Sequence, residues 1–331
     1  MSPGAQRTWY WVKRVAPWAI AALVLTLIAH QAHTMDWPAV WKALRTQSPT
    51  RLAAAAAMAL ASYCLYASFD LIGRHLTGHR LSAVRTVSTA AISYAFNLNF
   101  GALVGGVALR LRLYARLGLD TPTVLQIVAH SMMTNWIGYL WVAGAVLTWA
   151  PPPLPDSWVL ADSGLRAIGV AMMAAALAYL ALCRFSRRRE FTIRGHALIL
   201  PSGRLAALQA VAGGANWLLM GVIIWSLFAG RIDYPTALGA LLLAAVAGVV
   251  TSVPAGLGVL EAVFIATLDG RLPAVEVLAA VLAYRAAYYL VPLALALPAY
   301  GLREAATRRD ARAAGGSLAA PDSGTSAASA R

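Results

Sequence analysis

The chain has 331 residues, of which 60% are hydrophobic and only 12% are charged, and its mean hydropathy is +0.65. Soluble domains carry about 25% charged residues, so this composition excludes an ordinary soluble domain and indicates an integral membrane protein. The net charge of +14 would suggest nucleic acid as the partner of a soluble protein. Here the arginines lie between hydrophobic segments, which is typical of cytoplasmic loops, and we expect no nucleic-acid binding.

Six segments are apolar enough to cross a hydrocarbon layer of about 30 Å as helices. In chain order they are approximately 15–33, 52–73, 123–149, 166–183, 205–229 and 274–302. Their long Ala, Leu and Val runs lack the strict alternation of β-barrel strands and favour helices. The first resembles a signal peptide but has no cleavage site after it, so we interpret it as a retained span.

Two flanking pieces complete the map. Trp37, Val40, Trp41 and Leu44 recur at helical spacing and predict a short amphipathic helix in the outer interface. Residues 1–303 are predicted to form a single transmembrane domain. Residues 304–331 are rich in Ala, Gly, Ser and Arg and are expected to form a disordered cytoplasmic tail.

Two glycine-rich breaks interrupt apolar stretches at matching places, one at 99–106 and one at 252–258. Gly106 and Gly258 lie 152 residues apart, and each break precedes a short apolar arm and then a full-length span. Paired interruptions of this kind are the best sequence signal of a substrate site near the bilayer midplane.

The arginines distinguish between crossing segments and hairpins. If both interrupted segments crossed, the arginine-rich loop 184–204 would face away from the cytoplasm, which inverts the positive-inside rule. If both turn back, most of the 27 Lys and Arg residues and both termini face the cytoplasm. We therefore predict an all-α polytopic membrane protein with about six full spans and two re-entrant helical hairpins. The halves 52–149 and 205–302 would form an inverted-topology repeat.

Two charged residues in the second half are candidates for a site. Arg285 lies about eleven residues into the last span, where a charge costs about 2.5–3.5 kcal/mol and needs a partner, a cavity or a ligand. Glu261, in the arm after the second break, is the natural partner. The pair has two interpretations: a salt bridge that fixes the hairpin, or a headgroup site in which Arg285 binds phosphate and Glu261 an amine.

Other candidates follow from the breaks and from polar stripes. Thr251 or Ser252 is predicted to cap the second arm and Pro254 to begin it, so that free backbone N–H groups can hold an anion. Each candidate also has a structural interpretation, such as close packing, snorkelling or interhelical hydrogen bonding. The further substrate-binding candidates are Tyr284, Tyr288, Gly256, Gly258, Arg110, Arg112, Tyr114, Asn97, Asn135 and Asn216.

Several chemistries have no support in the sequence. No nucleotide-binding loop, dinucleotide fingerprint, nucleophile elbow or His-Glu-x-x-His pair is present, and we expect no cofactor and no metal. His75 and His79 are four residues apart, but they lie in a basic loop, and we expect no metal site there.

Three motifs resemble a known family. Residues 100–119, residues 254–261 and residues 284–292 are similar to signatures of the flippase-type membrane domain of lysylphosphatidylglycerol synthases and its stand-alone YbhN-like relatives. The resemblance implies a lipid-translocating fold with two re-entrant hairpins and a headgroup site that includes Glu261 and Arg285. Ala255 stands where the family usually has a glycine, and no aminoacyltransferase domain is expected after residue 303.

The sequence thus favours a lipid transporter of the bacterial inner membrane, with anionic or zwitterionic phospholipids or lipid-linked headgroups as partners. Two alternatives stay open: a membrane-embedded enzyme acting on polyprenyl phosphate or another lipid, and a non-transporting subunit that positions such an enzyme. A lipid-modifying enzyme and further copies of the chain are the protein partners that we consider.

Overall fold

A computed structural model of the chain describes residues 37–153, 162–193, 196–251, 253 and 256–317. Most of these residues are helical, as the composition predicts. The helices are α1 Trp37–Thr46, α2 Pro49–Thr77, α3 Ala83–Phe100, α4 Leu109–Arg116, α5 Thr121–Trp149, α6 Asp162–Phe185, α7 Gly203–Leu227, α8 Tyr234–Thr251, α9 Val259–Thr267, α10 Ala274–Arg285 and α11 Val291–Ser317. Two π-helical segments, Ala102–Ala108 and Ala286–Leu290, precede α4 and join α10 to α11.

A two-stranded sheet interrupts the helical pattern in the arginine-rich loop. Strands β1 Glu190–Ile193 and β2 His196–Ile199 pair antiparallel, with Glu190 opposite Ile199. The sequence analysis treats this stretch only as a loop.

Local signals account for the ends of the second helix. Ser48 precedes α2 and its hydroxyl accepts a hydrogen bond from the Arg51 N–H at 3.3 Å, and Pro49 takes the first helical position, where no N–H is needed. Gly78 ends α2 in the left-handed conformation, with φ of 67°, and its N–H donates to the Arg74 carbonyl.

Within the described residues, five helical stretches are long and apolar enough to cross a membrane. They are Pro49–Thr77, Ser163–Phe185, Gly203–Leu227, Tyr234–Thr251 and Ala274–Ala305. The 29-residue helix α5 matches them in length but has a lower hydropathy, because polar residues such as His130, Ser131 and Thr134 occur along it.

Each interrupted segment consists of a long arm and a short arm. Helices α3 and α8 have 18 residues each, whereas α4 has eight and α9 has nine. At a rise of about 1.5 Å per residue, α4 and α9 reach only about 12–14 Å and cannot cross alone. The first π-helical segment and α4 pack against α3, and α9 packs against α8, so the chain reverses at both breaks.

The two halves have the same order of elements. A long helix, an 18-residue helix, a break, a short helix and a further long helical stretch occur first as α2 to α5 and again as α7 to α11. Helix α2 packs against α7, and α5 also packs against α7, so the halves meet along their long helices. One hydrophobic cluster contains buried residues from both halves. Re-entrance and inverted symmetry remain predictions.

Three flanking predictions have different outcomes. The helix predicted around Trp37 and Trp41 is present as α1, with both tryptophans largely exposed and Leu44 against the core. The first predicted span, 15–33, lies outside the described residues. Helix α11 continues to Ser317, well into the segment 304–331 that is expected to be disordered.

The first break depends on a glycine that allows two backbones to touch. A Cβ atom on Gly105 would lie 2.0 Å from the Asn97 nitrogen and 2.2 Å from the Phe96 carbonyl carbon. Gly106 is also close, since its Cβ would come within 3.0 Å of the Asn97 side chain. Close packing therefore explains these glycines.

We predict that Gly105→Ala lowers the thermal unfolding temperature in detergent, because the methyl group must push the π-helical segment away from α3. Overpacking of this kind costs about 1–3 kcal/mol. Gly248→Ala in α8 is the matched control, since its Cβ would meet no atom within 4 Å. The control should leave stability unchanged or raise it; equal unfolding temperatures for the two variants would contradict the close contact.

Candidate functional site at two buried ion pairs

The ion pair between Glu261 and Arg285 joins the second hairpin to the last long helical stretch. Arg285 ends α10 and Glu261 lies in the first turn of α9. Arg285 Nε donates to Glu261 Oε1, and Nη2 donates to Oε2 at 2.9 Å and to the Gly256 carbonyl at 2.6 Å. Arg285 is only 1% exposed. The pair predicted from the sequence is therefore present, with side-on geometry.

The turn before Glu261 is built by glycines. Gly256 and Gly258 have φ of 55° and 76°, in the left-handed region where other residues are strained. Gly258 precedes α9, so the prediction that Thr251 caps this arm is wrong: the Thr251 hydroxyl donates to the Ala247 carbonyl within its own helix. Ser252 and Pro254, also predicted there, lie outside the described residues. Glu261 itself supplies the negative charge that favours the start of α9.

A second buried ion pair lies beside the first break. Arg110 Nη2 is 3.2 Å from Asp70 Oδ1, and the Tyr114 hydroxyl donates to Asp70 Oδ2 at 2.8 Å and also contacts the Thr86 carbonyl at 3.3 Å. Asp70 and Tyr114 are 0% exposed and Arg110 is 1% exposed. The predicted candidates Arg110 and Tyr114 thus meet at a carboxylate that the sequence analysis did not single out.

Asp70 had a sequence signal that could have found it. It is the one charged residue between Arg51 and Arg74 in the second predicted span. An ionisable residue inside a span is a functional candidate by default, for the same reason that applies to Arg285. The other candidates lie at the breaks or on the polar stripes, whereas Asp70 lies on an uninterrupted helix.

A tyrosine cluster lies between the two halves. Tyr66 stacks on Tyr94 with ring centroids 3.5 Å apart, and the Tyr94 hydroxyl is 3.1 Å from the Tyr288 hydroxyl. Tyr284 stacks on Tyr288 at 5.3 Å, and the Tyr284 hydroxyl is buried without a hydrogen-bond partner. Tyr63 completes the cluster by donating to the Tyr288 carbonyl at 3.1 Å. Tyr284 and Tyr288 are therefore interior residues and do not form an interfacial belt.

The aromatic cluster reaches both arginines. The Arg110 guanidinium lies 5.8 Å from the Tyr66 ring centroid, and that of Arg285 lies 5.4 Å from the Tyr289 ring centroid. The ring centroids of Tyr288 and Tyr289 are 6.0 Å apart. Aromatic faces stabilise cations, most strongly where water is absent. The two ion pairs consequently belong to one polar and aromatic region inside the helices.

The predicted asparagines do not form a common site. Asn216 is fully buried and its Oδ1 accepts from the Ser62 hydroxyl at 2.7 Å, and this hydroxyl also contacts Tyr288 at 2.7 Å. Asn216 therefore joins the tyrosine cluster. Asn135 offers its backbone carbonyl to Trp217 at 3.2 Å, whereas Asn97 packs against the glycines of the first break.

Arg112 makes a different contact from its neighbour Arg110. Its guanidinium donates to both Glu304 oxygens, at 3.1 and 3.2 Å, and Arg116 pairs with the same carboxylate. Arg303 donates to the Thr89 hydroxyl at 3.0 Å. These contacts attach α11 to the first hairpin. Among the described residues, no group of three metal-ligating side chains was found.

We predict that Glu261→Gln lowers the free energy of unfolding by about 3–5 kcal/mol, because it leaves the buried charge of Arg285 without its partner. Arg285→Gln should lower it by less, because the Glu261 side chain is 14% exposed. The double variant should be more stable than either single variant. The matched control is Arg231→Gln, since Arg231 and Glu276 form a pair whose side chains are 54% and 43% exposed. This control should change stability by about 1 kcal/mol or less. Single variants as stable as the control would contradict the burial of the pair.

Comparison with known proteins identifies the family of the chain. Residues 14–296 match the family model described as the lysylphosphatidylglycerol synthase TM region. The chain is 39% identical over 302 residues to the inner membrane protein YbhN of Escherichia coli, covering 91% of this chain and 95% of that protein. It is 31% identical over 319 residues to the uncharacterized protein slr0712 of Synechocystis, covering 93% and 98% of the two chains. By this family match and these identities, the chain belongs to the lysylphosphatidylglycerol synthase transmembrane-region family and is a YbhN-like membrane protein.

Proposed function

We propose that this protein moves a lipid with an anionic or zwitterionic headgroup across the bacterial inner membrane. The observation that carries the proposal is a pair of arginines buried among apolar helices, each neutralised by a carboxylate, with one member of each ion pair next to a chain break. Arg285 pairs with Glu261 and Arg110 with Asp70. Charges this deep are costly and are kept mainly where a substrate or an ion is handled.

A zwitterionic headgroup can bind both residues of an ion pair in place of their contact with each other, so that neither residue is left as an unpaired charge. A phosphate oxygen can replace Glu261 on the Arg285 guanidinium, and an ammonium group can take the freed carboxylate. Phosphate matches the fork of a guanidinium well, because two parallel hydrogen bonds form. The acyl chains would stay in the bilayer beside the helices.

The position of the charges in the two halves supports alternating access. Arg110 lies four residues after Gly106, and Glu261 lies three residues after Gly258. Neighbouring positions after the two breaks therefore carry opposite charges. If the halves form an inverted repeat, the two hairpins enter from opposite sides, and each can open as a gate while the other stays closed.

The backbone next to both arginines is irregular. A π-helical segment ends two residues before Arg110, and another begins directly after Arg285. Such segments replace the regular hydrogen-bonding pattern and occur frequently at functional sites. We infer that the helices rearrange at these two places when a headgroup binds.

The cellular location is part of the proposal. YbhN is named an inner membrane protein, and the distribution of arginine in this chain favours cytoplasmic termini. The family description names a synthase of a lysylated lipid, but the lipid handled here need not be lysylated.

The proposal predicts that purified protein in vesicles moves a phosphate-bearing lipid between leaflets. Glu261→Gln and Arg285→Ala should reduce the transport rate at least about tenfold. A tenfold reduction corresponds to an increase of only about 1.4 kcal/mol in the activation free energy of transport. Leaflet-resolved lipid reporters measure the rate, and Arg231→Gln, in an exposed ion pair, is the matched control.

Two results would contradict the proposal. The first is that both variants transport every tested lipid as fast as the parent, which would exclude the site. The second is that the parent releases phosphate from polyprenyl phosphate and moves no lipid, which would indicate the enzyme alternative.

A further inference from the structure

The Asp70 carboxylate makes different contacts from the carboxylate of Glu261. Glu261 receives two hydrogen bonds from Arg285. Asp70 Oδ2 accepts a hydrogen bond from Tyr114, but Oδ1 has no hydrogen bond, although Arg110 Nη2 is 3.2 Å away. An ionised carboxylate in an apolar interior is stable only when its oxygens are well coordinated, so Asp70 is the carboxylate whose charge is less well compensated.

The polar atoms around Asp70 are incompletely hydrogen-bonded. Arg110 Nε is buried without a hydrogen bond, and Arg110 Nη2 meets Asp70 Oδ1 as an ion pair at 3.2 Å. The Ser131 hydroxyl faces the carboxylate from α5 and interacts with it. Buried donors without acceptors cost about 1–3 kcal/mol each, so they normally await a ligand or water. This cluster can therefore accept an additional proton and an additional anion.

Two aromatic side chains, Tyr114 and His79, lie between Asp70 and the turn after α2. The Tyr114 hydroxyl contacts Asp70, and the Tyr114 ring lies 6.5 Å from the His79 ring in the turn after α2. His79 Nδ1 accepts from the Leu81 N–H at 3.3 Å, so in the neutral ring Nε2 carries the proton, and Nε2 has no hydrogen-bond partner. Burial and the nearby Arg74 lower the pKa of His79, which keeps the ring neutral near neutral pH.

The charged and titratable groups that face Asp70 come from three elements. Arg110 and Tyr114 belong to α4, His79 follows α2, and Arg303 on α11 acts on Tyr114. The facing group on α5, Ser131, does not titrate. Protonation of Asp70 thus changes the cluster from one cation and one anion to one uncompensated cation, Arg110.

We propose that Asp70 is a proton-binding site, and that binding of a proton to Asp70 releases Arg110 to hold an anionic phosphate group. The carboxylate becomes a carboxylic acid, its O–H donates to the Tyr114 oxygen, and a phosphate oxygen replaces it beside the guanidinium. One proton and one negative charge enter together, so the exchange leaves the charge of the interior unchanged. The identity of the anion as a lipid headgroup rests on the proposed function; the proton site does not.

Proton binding to Asp70 and anion binding to Arg110 are thermodynamically linked in this proposal, so their coupling can be measured without a transport assay. A ligand that binds only when Asp70 is protonated must raise the proton affinity of Asp70 by the factor by which protonation raises the affinity for the ligand. A typical coupling of about 1–3 kcal/mol changes proton affinity at least about fivefold. We expect the protonation midpoint to lie about one pH unit higher with the anionic lipid, a tenfold change.

The experiment is an infrared titration of the full chain in nanodiscs. Parent protein in phosphatidylcholine should show a protonated-carboxyl band as the pH falls, and the band should be absent from Asp70→Asn and present in Glu261→Gln. Replacing phosphatidylcholine with phosphatidylglycerol should raise the midpoint by about one pH unit, and by more than in Arg110→Gln, which experiences the same negative bilayer surface. Aspartate labelled with a heavy carboxyl carbon should shift the band of the parent, which assigns the band to an aspartate and not to a glutamate, and its absence from Asp70→Asn assigns it to Asp70.

Two results would overturn the proposal: a parent band that does not shift with labelled aspartate, or a midpoint that is the same in both lipids. Either result leaves transport through Glu261 and Arg285 untouched. Conversely, a titrating Asp70 in a protein that moves no lipid would remove the proposed function and keep the proton site.

Discussion

The neutralisation of buried charge is the constraint on which this structure depends. Arg110 and Arg285 are among the largest fully buried side chains in the described part of the chain, and each lies among apolar helices. An isolated charge there would cost many kilocalories per mole, so each arginine requires a carboxylate in contact with it. Glu261 and Asp70 meet that requirement, and their positions determine where the short helices α9 and α4 dock.

The same pairs explain why the protein combines tight and irregular packing. At the meeting of the halves, a Cβ atom on Gly138 of α5 would lie 2.1 Å from the Gly213 carbonyl carbon of α7, which indicates backbone contact and a rigid scaffold. At the hairpins, by contrast, glycine turns and π-helical segments adjoin the charged residues. A substrate that replaces one partner of an ion pair would therefore move the hairpins more readily than the scaffold.

Much of this arrangement could be predicted from residue patterns. Composition gives the membrane class, and the isolated positions of Glu261 and Arg285 in apolar sequence give their pairing, since neither charge is stable alone. The pairing of Asp70 with Arg110 was missed because 40 residues separate them in the sequence, and only the folded packing of the helices brings them together.

Arg112 shows the same limit of sequence patterns. Its spacing from Arg110 suggests a shared basic strip, whereas it pairs with Glu304 on the distant helix α11. The wider turns of the π-helical segments are also not predicted by a helical periodicity of 3.6 residues.

The central claim is that the buried arginines bind the phosphate group of a lipid. Native mass spectrometry of lipids that remain bound during purification tests it most directly, with the parent compared to the double variant Glu261→Gln/Arg285→Gln, which keeps the interior neutral. The account predicts that the parent retains a phosphate-bearing lipid and that the double variant, although folded, loses it. Retention of the same lipid in the same amount by both proteins would contradict the account.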